Sequence, residues 1–384
     1  MLIKSLQILK LAPFQEAQLE FKTPHVHLFT GPNGSGKSRL LELIAAGLVL
    51  GKISSPRLGQ VQSSHSDIFI NGTNSARIQL TQPAPKAPCF AFSGNAALRE
   101  SKIQVMQAVA VPNRAQLLSF ANDGGAVPAT NQAIANLKVQ AAMEAMNDPD
   151  GTESRWISVV DRLEKAISEI TGRKFSIIAT AHPEPKLEFK WGNERLPISG
   201  LPDGLNAVLS WMVYAGTMMD LMVPKDSTDP LAHPSAILLD EPETHLHPEW
   251  QRRVIPLAQL LFPQTQFFIA THSPFVVSSV NEGYIYKIER TSDGTCRIGD
   301  PEPTPKGDSY ISALSEVLNL KEWFDPETES LLDEFRIERN AALKGDKQAA
   351  QNAESLGAKL CERGSEIANI VGAELSQLSR ALSS

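Results

Sequence analysis

The sequence is short of several features that mark whole classes of protein. Its 384 residues include three scattered cysteines, Cys89, Cys296 and Cys361, which give neither a disulfide framework nor a CxxC metal pair. This usage predicts a reducing, cytoplasmic location. No apolar run approaches the ~20 residues of a membrane-spanning helix, and the first residues alternate like a strand rather than a signal peptide. These absences disfavour a transporter with fused membrane segments, and we expect no membrane contact.

Positive charge is also scarce. Asp and Glu total 43 against 36 Lys and Arg, so the formal net charge is −7. Non-specific nucleic-acid binders usually carry a basic field, so we expect any nucleic-acid contact to be local or made through a partner. The chain also lacks a long coiled-coil heptad run and an HNH-like histidine constellation, since its last histidine is His272.

The most specific motif present is GPNGSGKS at residues 31–38, which meets the phosphate-loop pattern GxxxxGK[ST] in full. An alternating strand-like run precedes it and an apolar helix-like run follows it, as a phosphate loop requires. Glycines let backbone N–H groups approach phosphate oxygens, and the helix N-terminus adds a positive end. We expect Lys37 to reach the β- and γ-phosphates of ATP and the Ser38 hydroxyl to bind Mg²⁺. The predicted nucleotide-binding residues here are Gly31, Pro32, Asn33, Gly34, Ser35, Gly36, Lys37, Ser38 and Arg39.

Two later apolar runs end in residues that suit phosphate chemistry. Residues 235–239 lead into Asp240 and Glu241, and residues 266–270 lead into Thr271 and His272. Asp240 can hold Mg²⁺ through water, and Glu241 can polarise the attacking water. His272 can hydrogen-bond the γ-phosphate or that water. A helix-capping acid and a polar strand end are the structural alternatives, but the order of all three motifs favours catalytic roles for Glu241 and His272 and a metal-binding role for Asp240.

Together these motifs resemble the ABC-type ATPases, the superfamily of transporter cassettes and SMC-like proteins. LLDEPE and ATHSP follow the phosphate loop about 200 and 240 residues later. The longer string DEPETHLHP, at residues 240–248, is similar to a narrower group of anti-phage ATPases, those of Septu, of some retrons and of the overcoming-lysogenisation-defect nucleases. The resemblance covers roughly residues 1–290. It implies an α/β fold of the ABC-type P-loop class, with a mixed sheet, a helical insertion lobe and a C-terminal helical tail.

The resemblance also implies a composite site. In ABC-type ATPases the phosphate loop of one subunit faces the signature helix of another, so a chain with one of each is expected to form a head-to-tail homodimer. The preferred signature is residues 201–204, with Asp203 and Gly204 as nucleotide-binding residues, and residues 198–200 are the alternative register. Pro202 stands where the family has serine. The family's γ-phosphate-sensing glutamine stays open among Gln60, Gln62, Gln104 and Gln107.

Patterning divides the chain into four parts. These are an N-terminal core part with the phosphate loop (1–51), a hairpin and helical insertion lobe (52–195), a C-terminal core part (196–300), and a linker with a helical tail (301–384). In the second part, a turn at Asn71–Ser75 predicts a hairpin. Residues 94–150 predict a helical lobe with a loop at Asn122–Thr130, and an amphipathic helix is predicted over Arg155–Ile170. Strands are predicted at Phe175–Thr180 and Lys186–Trp191, and a Met-rich core helix reaches about Met222.

Two further segments carry open interpretations. His245 and His247 have metal-ligand spacing, but Glu243 is the one spare acid nearby and no cysteine is close, so packing in the coupling loop is favoured. In the tail, Pro301–Pro305 predicts a linker, and Asp325 and Gly345 predict a helix start and stop. An apolar stripe follows at Ile367, Ile370, Val371, Leu375, Leu378 and Leu382. The tail either packs on the ATPase body or docks a second protein, and it is too short for an added nuclease domain.

The leading interpretation is an ATP-driven switch in a cytoplasmic anti-phage system. The chain would bind Mg-ATP, dimerise, hydrolyse slowly and control a separately encoded effector, expected to be a nuclease bound through the C-terminal helices. One alternative is an SMC-like DNA-repair or chromosome-maintenance ATPase, which the missing coiled coil disfavours. Another is a nucleotide-binding scaffold with little turnover, which Pro202 keeps open.

Overall fold

The computed structural model describes residues 3–22, 26–49, 51–64, 66–80, 87–104, 107–120, 127–147, 155–180, 184–224, 227, 229–304, 313–318 and 324–383. Of residues 127–129, 147, 316, 382 and 383 it describes only the main chain. The chain divides into two compact units, Met1–Leu318 and Asn319–Ser384.

The secondary structure is mixed. The strands are β1 (Ile3–Ile8), β2 (Ala17–Glu20), β3 (Val26–Thr30), β4 (Lys52–Ser55), β5 (Gly59–Ser64), β6 (Asp67–Ile70), β7 (Thr73–Leu80), β8 (Cys89–Ser93), β9 (Phe175–Thr180), β10 (Lys186–Trp191), β11 (Glu194–Pro197), β12 (Ser235–Asp240), β13 (Thr265–Ala270), β14 (Tyr284–Arg290), β15 (Cys296–Ile298) and β16 (Glu302–Pro303). The helices are α1 (Lys37–Val49), α2 (Arg114–Leu117), α3 (Val127–Asn147), α4 (Arg155–Thr171), α5 (Asp203–Val208), α6 (Tyr214–Met222), α7 (Pro248–Leu261), α8 (Pro274–Ser279), α9 (Pro326–Ala342), α10 (Lys347–Cys361) and α11 (Ser365–Ser383).

The central sheet positions the site. Its parallel strands lie in the order β14-β3-β13-β12-β8, and β15 and β16 run antiparallel to β14. Both faces are covered, which is why these strands are continuously apolar. In β12, for example, Ala236 and Leu238 belong to one buried cluster, whereas Ile237 and Leu239 belong to the other. Because the strands are parallel, the loops that follow β3, β12 and β13 meet at one edge of the sheet.

A second, antiparallel sheet covers the opposite side of α1. Its strands lie in the order β2-β1-β7-β6-β5-β4, and α1 contacts both sheets. Gly47 permits this close packing, since a Cβ there would lie 2.7 Å from Cδ1 of Ile78. The predicted hairpin is confirmed as the β6–β7 pair, which turns at Asn71 and Gly72.

The other face of the central sheet carries helices and a small antiparallel sheet, β11-β10-β9. The amphipathic α4 is confirmed: it buries Val160, Leu163 and Ile167 and contacts α3, α7 and β9. The predicted Met-rich helix is also confirmed, with α5 joined to α6 by a π-helical turn and with Met218 and Met219 fully buried.

Residues 94–113 differ from the helical prediction. The described residues in this range form no helix. Amide side chains of α3 and α5 pair with their main chain instead. Asn206 Oδ1 accepts from Leu98 N at 2.8 Å, and the Gln132 amide bonds both N and O of Gln104, at 2.7 and 2.8 Å. These bonds satisfy peptide groups of Leu98 and Gln104 without helix formation.

Two predicted connections also change. Residues 122–126 of the predicted loop lie outside the described residues, and Val127 already begins α3. The prediction of a linker at Pro301–Pro305 is wrong for its middle, because Glu302–Pro303 forms β16 against β14 and the N–H of buried Thr304 bonds Gly283 O at 3.0 Å. Proline is tolerated there because β16 is an edge strand.

The second unit packs α9, α10 and α11 around their own core. Asp325 caps α9 as predicted, accepting the N–H groups of Glu327 and Thr328. Ile367, Val371 and Leu378 of the apolar stripe are buried inside this unit, whereas Ile370 is 36% exposed and the side chain of Leu382 is not described. Most of the stripe therefore needs no outside partner to leave water. None of the helices in the described parts of the chain is long and apolar enough to cross a membrane.

Candidate nucleotide-binding and hydrolysis site

The phosphate loop connects β3 to α1, as the sequence predicts. Gly31 and Gly36 have φ angles of 152° and 93°. A Cβ at Gly31 would lie 2.3 Å from Ile288 O, and one at Gly36 would lie 2.8 Å from the Phe14 ring. The loop is therefore held between β14 and the segment before β2 so closely that side chains at these two positions cannot fit.

Lys37 and Ser38 begin α1. The Lys37 side chain points into the phosphate loop, and the Ser38 side chain points toward β12. Buried Lys37 donates from Nζ to Gly31 O and Pro32 O, both at 3.0 Å. Burial lowers its pKa, opposed by the carboxylates of Glu241, Asp240 and Glu243. Ser38 Oγ donates to Asp240 Oδ1 at 2.7 Å. A hydroxyl and a carboxylate in contact are the hard oxygen ligands that suit Mg²⁺.

These groups fit a bound nucleotide phosphate. The Lys37 ammonium is held by main-chain carbonyls that a phosphate could replace as partner. Ser35 Oγ is buried and has no hydrogen-bond partner among the described residues, so the loop keeps a spare polar group. Pro32, Asn33 and Gly34 are exposed at the loop's outer turn. Arg39 is half-buried in the first turn of α1, and its Nε also lacks a partner within the described ranges.

Asp240 has a second, unpredicted partner. Arg57, from the β4–β5 turn, places its guanidinium 3.2 Å from Asp240 Oδ2 and 2.8 Å from Glu42 Oε1. Burial raises the pKa of Asp240, and the Ser38 hydrogen bond and the Arg57 charge oppose that rise. The turn carrying Arg57 has no motif, so a single sequence offers no signal for this contact.

Glu241 follows β12 in a left-handed conformation, with φ of 55° and an exposed side chain. Its main-chain N–H donates to Ala270 O at 2.8 Å, and its carbonyl accepts from Thr244. Gly94, just after β8, lies so close that a Cβ there would be 2.1 Å from Glu241 O. The neighbouring strand ends therefore fix the main chain of Glu241 while its carboxylate faces solvent. Gly94 is a second residue that sequence reasoning missed.

His272 follows β13 and is half-buried. Burial lowers its pKa, the charge of Lys37 lowers it further, and the charge of Glu241 opposes both. His272 is thus near the phosphate-loop cation and the predicted base, and the lowered pKa favours the neutral imidazole. The structure accordingly brings the predicted catalytic and metal-binding residues to one edge of the sheet. Their roles stay predictions.

The signature segment lies at the start of α5. Pro202 occupies the N-cap position without a side-chain cap, and Asp203 is exposed in the first turn. Gly204 is buried for a reason within the same chain: a Cβ there would lie 2.7 Å from His245 O. In the alternative register, Ser199 Oγ already donates to Glu100 Oε1 at 2.6 Å.

The four glutamine candidates and His247 lie in different parts of the fold. Gln60 and Gln62 are on β5 of the antiparallel sheet, and Gln104 and Gln107 are in the segment paired to α3. His247 caps α7, its Nδ1 accepting from Glu249 N at 3.3 Å. Within the described residues, no hydrogen bond joins any of the four glutamines to the phosphate loop, and the identity of the sensing glutamine stays open.

Comparison with known proteins places this geometry in context. Residues 5–180 match the family described as "AAA domain", and residues 217–278 match "AAA domain, putative AbiEii toxin, Type IV TA system". The chain is 27% identical over 170 residues to "Retron Ec83 probable ATPase" of Escherichia coli, covering 44% of this chain and 30% of that protein. It is 31% identical over 102 residues to "Septu protein PtuA" of Bacillus thuringiensis, covering 26% of each.

The chain thus matches less than a third of the length of either relative. Among solved structures, "SMC head domain from Thermotoga maritima" aligns with 17% identity and a TM-score of 0.39, over 79% of this chain and 100% of that one. The predicted similarity to retron and Septu ATPases is confirmed. So is the predicted fold class, since a phosphate loop joins β3 to α1 in a largely parallel sheet beside an antiparallel one.

Proposed function

We propose that this chain binds Mg-ATP, hydrolyses it and acts as a nucleotide-driven switch in anti-phage defence. The observation that carries the proposal is the direct hydrogen bond between Ser38 of the phosphate loop and Asp240, 202 residues away. It unites the two groups that a magnesium-nucleotide site needs. Similarity to a protein named a probable ATPase of a retron supports both the chemistry and the setting.

Each predicted site residue is proposed to have a role that follows from its position. Lys37 exchanges its carbonyl partners for phosphate oxygens, and Ser38 and Asp240 hold the metal. Bound Mg²⁺ supplies charge neutralisation at the β- and γ-phosphate oxygens. Glu241, exposed at the mouth of the site, orients the attacking water and accepts its proton. His272, which follows the neighbouring strand β13, offers a hydrogen bond to the γ-phosphate or to that water.

The second half of the site is proposed to come from another copy of the chain. Asp203 and Gly204 begin a helix whose N-terminal N–H groups suit an anion. Pro202 removes both a hydroxyl and an N–H from this position. We therefore propose a head-to-tail homodimer with slow basal hydrolysis.

Pro202→Ser is expected to raise the steady-state rate of ATP hydrolysis by at least about tenfold, because one preorganised donor is worth about a hundredfold in rate. Pro326→Ser is the matched control, since Pro326 is also exposed and also stands at the start of a helix, but belongs to neither signature register. Phosphate release measures both. An unchanged rate in Pro202→Ser, with dimerisation intact, would mean that residues 198–200 supply the signature.

The switch is proposed to act on a separately encoded effector, of nuclease class, in the cytoplasm. Support comes from the retron and Septu names of the relatives and from the separate second unit. The effector is proposed to bind α9–α11, whose exposed apolar side chains include Ile337, 67% exposed. A net charge of −7 fits nucleic-acid contact made through that effector.

The proposal is tested by comparing the full chain with residues 1–318. Both are expected to release phosphate from Mg-ATP, because the phosphate loop, Asp240 and His272 all belong to the first compact unit. The shorter chain is expected to lose co-purification with the protein encoded beside this gene. ATP binding without any phosphate release would support a nucleotide-binding scaffold instead. Equal co-purification would place the effector contact on the first unit.

A further inference from the structure

Glu243 is a carboxylate that the proposed chemistry leaves unused. It follows β12 by three residues and lies beside the loop after β13. Its Oε2 is out of contact with water and has no hydrogen-bond partner in the described part of the chain. Burial raises its pKa, with hydrogen bonds from His272 and Thr271 opposing. A buried carboxylate oxygen without a hydrogen-bond partner costs free energy of folding.

Its other oxygen serves the loop that carries His272. Oε1 of Glu243 accepts from Thr271 Oγ1 at 2.8 Å, from His272 N at 2.8 Å and from Ser273 N at 3.2 Å. A single carboxylate oxygen thereby fixes three consecutive residues. Three hydrogen bonds that converge on one acceptor oxygen restrict the main chain of His272 closely.

These bonds begin where the sheet ends. The β12–β13 pairing covers Ser235–Asp240 against Thr265–Ala270, and Glu241 N bonding Ala270 O is the next contact. Strand register is thus complete before Glu243 is reached. Its hydrogen bonds are therefore not needed to pair the two strands. What they fix is the position of His272.

A second tie reinforces the same loop. Ser273 Oγ donates to Gln251 Oε1 at 2.5 Å, and Gln251 Nε2 donates to Leu246 O at 2.9 Å. Gln251 belongs to α7, so the loop after β13 is also anchored to the helix that follows the Glu243 segment. Of the two ties, only the one from Glu243 bonds His272 itself.

We propose that Glu243 is a positioning residue that holds His272 beside Lys37 and Glu241 in the geometry that hydrolysis requires. This inference rests on the proposed ATPase function. Glu243 acts through the main chain of His272 and touches no phosphate. Its effect therefore falls on turnover, whereas nucleotide affinity depends on the phosphate loop.

The first test is kinetic. Glu243→Ala is expected to lower kcat about a hundredfold, since a misplacement near 1 Å costs that much, with KM for ATP within about twofold of wild type. Glu243→Gln keeps an acceptor oxygen and is expected to restore kcat to within about threefold of wild type. A Gln variant as inactive as the Ala variant would overturn the proposal, because the charge rather than the tie would then matter.

A double-mutant cycle separates positioning from general support. In a His272→Ala background, Glu243→Ala is expected to cost less than about twofold further, because its effect runs through the missing imidazole. Thr271→Val removes one donor and is expected to give a smaller loss, whereas Thr217→Val, which also removes a buried hydroxyl donor but within the helical segment ending in α6, is the matched control and should give none. Equal losses in both backgrounds would show a merely structural role.

A readout independent of turnover completes the test. The NMR titration of the His272 imidazole, assigned by its loss in His272→Ala, is expected to show a lowered pKa in wild type and in Glu243→Gln. In Glu243→Ala the pKa is expected to rise toward its ordinary value of about 6.5 as the ring becomes more exposed and leaves Lys37. An unchanged titration would overturn the inference even in a chain without turnover. Absent phosphate release in wild type, with these shifts present, would instead sink the hydrolysis proposal.

Discussion

Lys37→Ala is expected to weaken ATP binding by at least about a hundredfold. The ammonium is the cation seated in the phosphate loop, and each charge-assisted hydrogen bond that it would make to a phosphate oxygen is worth about 1.5–3 kcal/mol. Two such bonds suffice for the expected loss. Isothermal titration calorimetry of the purified chain with Mg-ATP measures the affinity directly.

The interpretation of this variant depends on an intact fold. Lys37 is buried, so its removal also takes a donor away from the carbonyls of Gly31 and Pro32. The thermal unfolding midpoint should therefore be measured without nucleotide and should stay close to that of wild type. Lys4→Ala, which removes an exposed lysine from β1, is the control for loss of one positive charge. Affinity within about twofold of wild type would show that residues 31–38 are an ordinary glycine turn.

The parts of the fold that could be predicted are those with local signals. The strand–loop–helix unit around Lys37 and the two apolar runs before Asp240 and His272 are continuous in sequence, and their periodicity is strong. Placing them at one sheet edge follows from parallel pairing. The helix stop at Gly345 is likewise local, because the left-handed φ of 98° there favours glycine.

The unpredicted contacts all depend on segments that meet only in the folded chain. Arg57 reaches Asp240 from another sheet, and Gly94 is required because the carbonyl of Glu241 occupies the space of its side chain. Glu243 lies within the DEPETHLHP motif, but its hydrogen-bond partners are determined by where β13 ends. Gly204 was predicted from resemblance alone, and the structure adds a packing reason, close approach to His245 O. Contacts between distant segments produce no periodic pattern in a single sequence, so they could not be predicted from it.

Glu241→Gln is expected to abolish turnover while leaving ATP binding unchanged. The amide keeps the size of the side chain and loses the basic oxygen that accepts a proton from water, a role worth about 10²–10⁴ in rate. The main-chain conformation of Glu241 is fixed by Ala270, Thr244 and the nearby Gly94, through its main-chain N–H and carbonyl. The substitution should therefore leave the local structure in place, and single-turnover phosphate release measures the loss.

Because the Glu241→Gln variant is not expected to consume ATP, ATP should stay bound. An ATP-dependent dimer can then be observed directly. If two phosphate loops face two signature helices across ATP, the Gln variant should remain dimeric by light scattering in Mg-ATP, whereas wild type should return to its nucleotide-free state as ATP is consumed. Glu194→Gln, an exposed acid on β11, is the charge-matched control and should behave as wild type. Wild-type hydrolysis by Glu241→Gln would place the base elsewhere. If turnover is lost but no ATP-dependent dimer forms, the catalytic role of Glu241 would be supported and the composite site would be wrong.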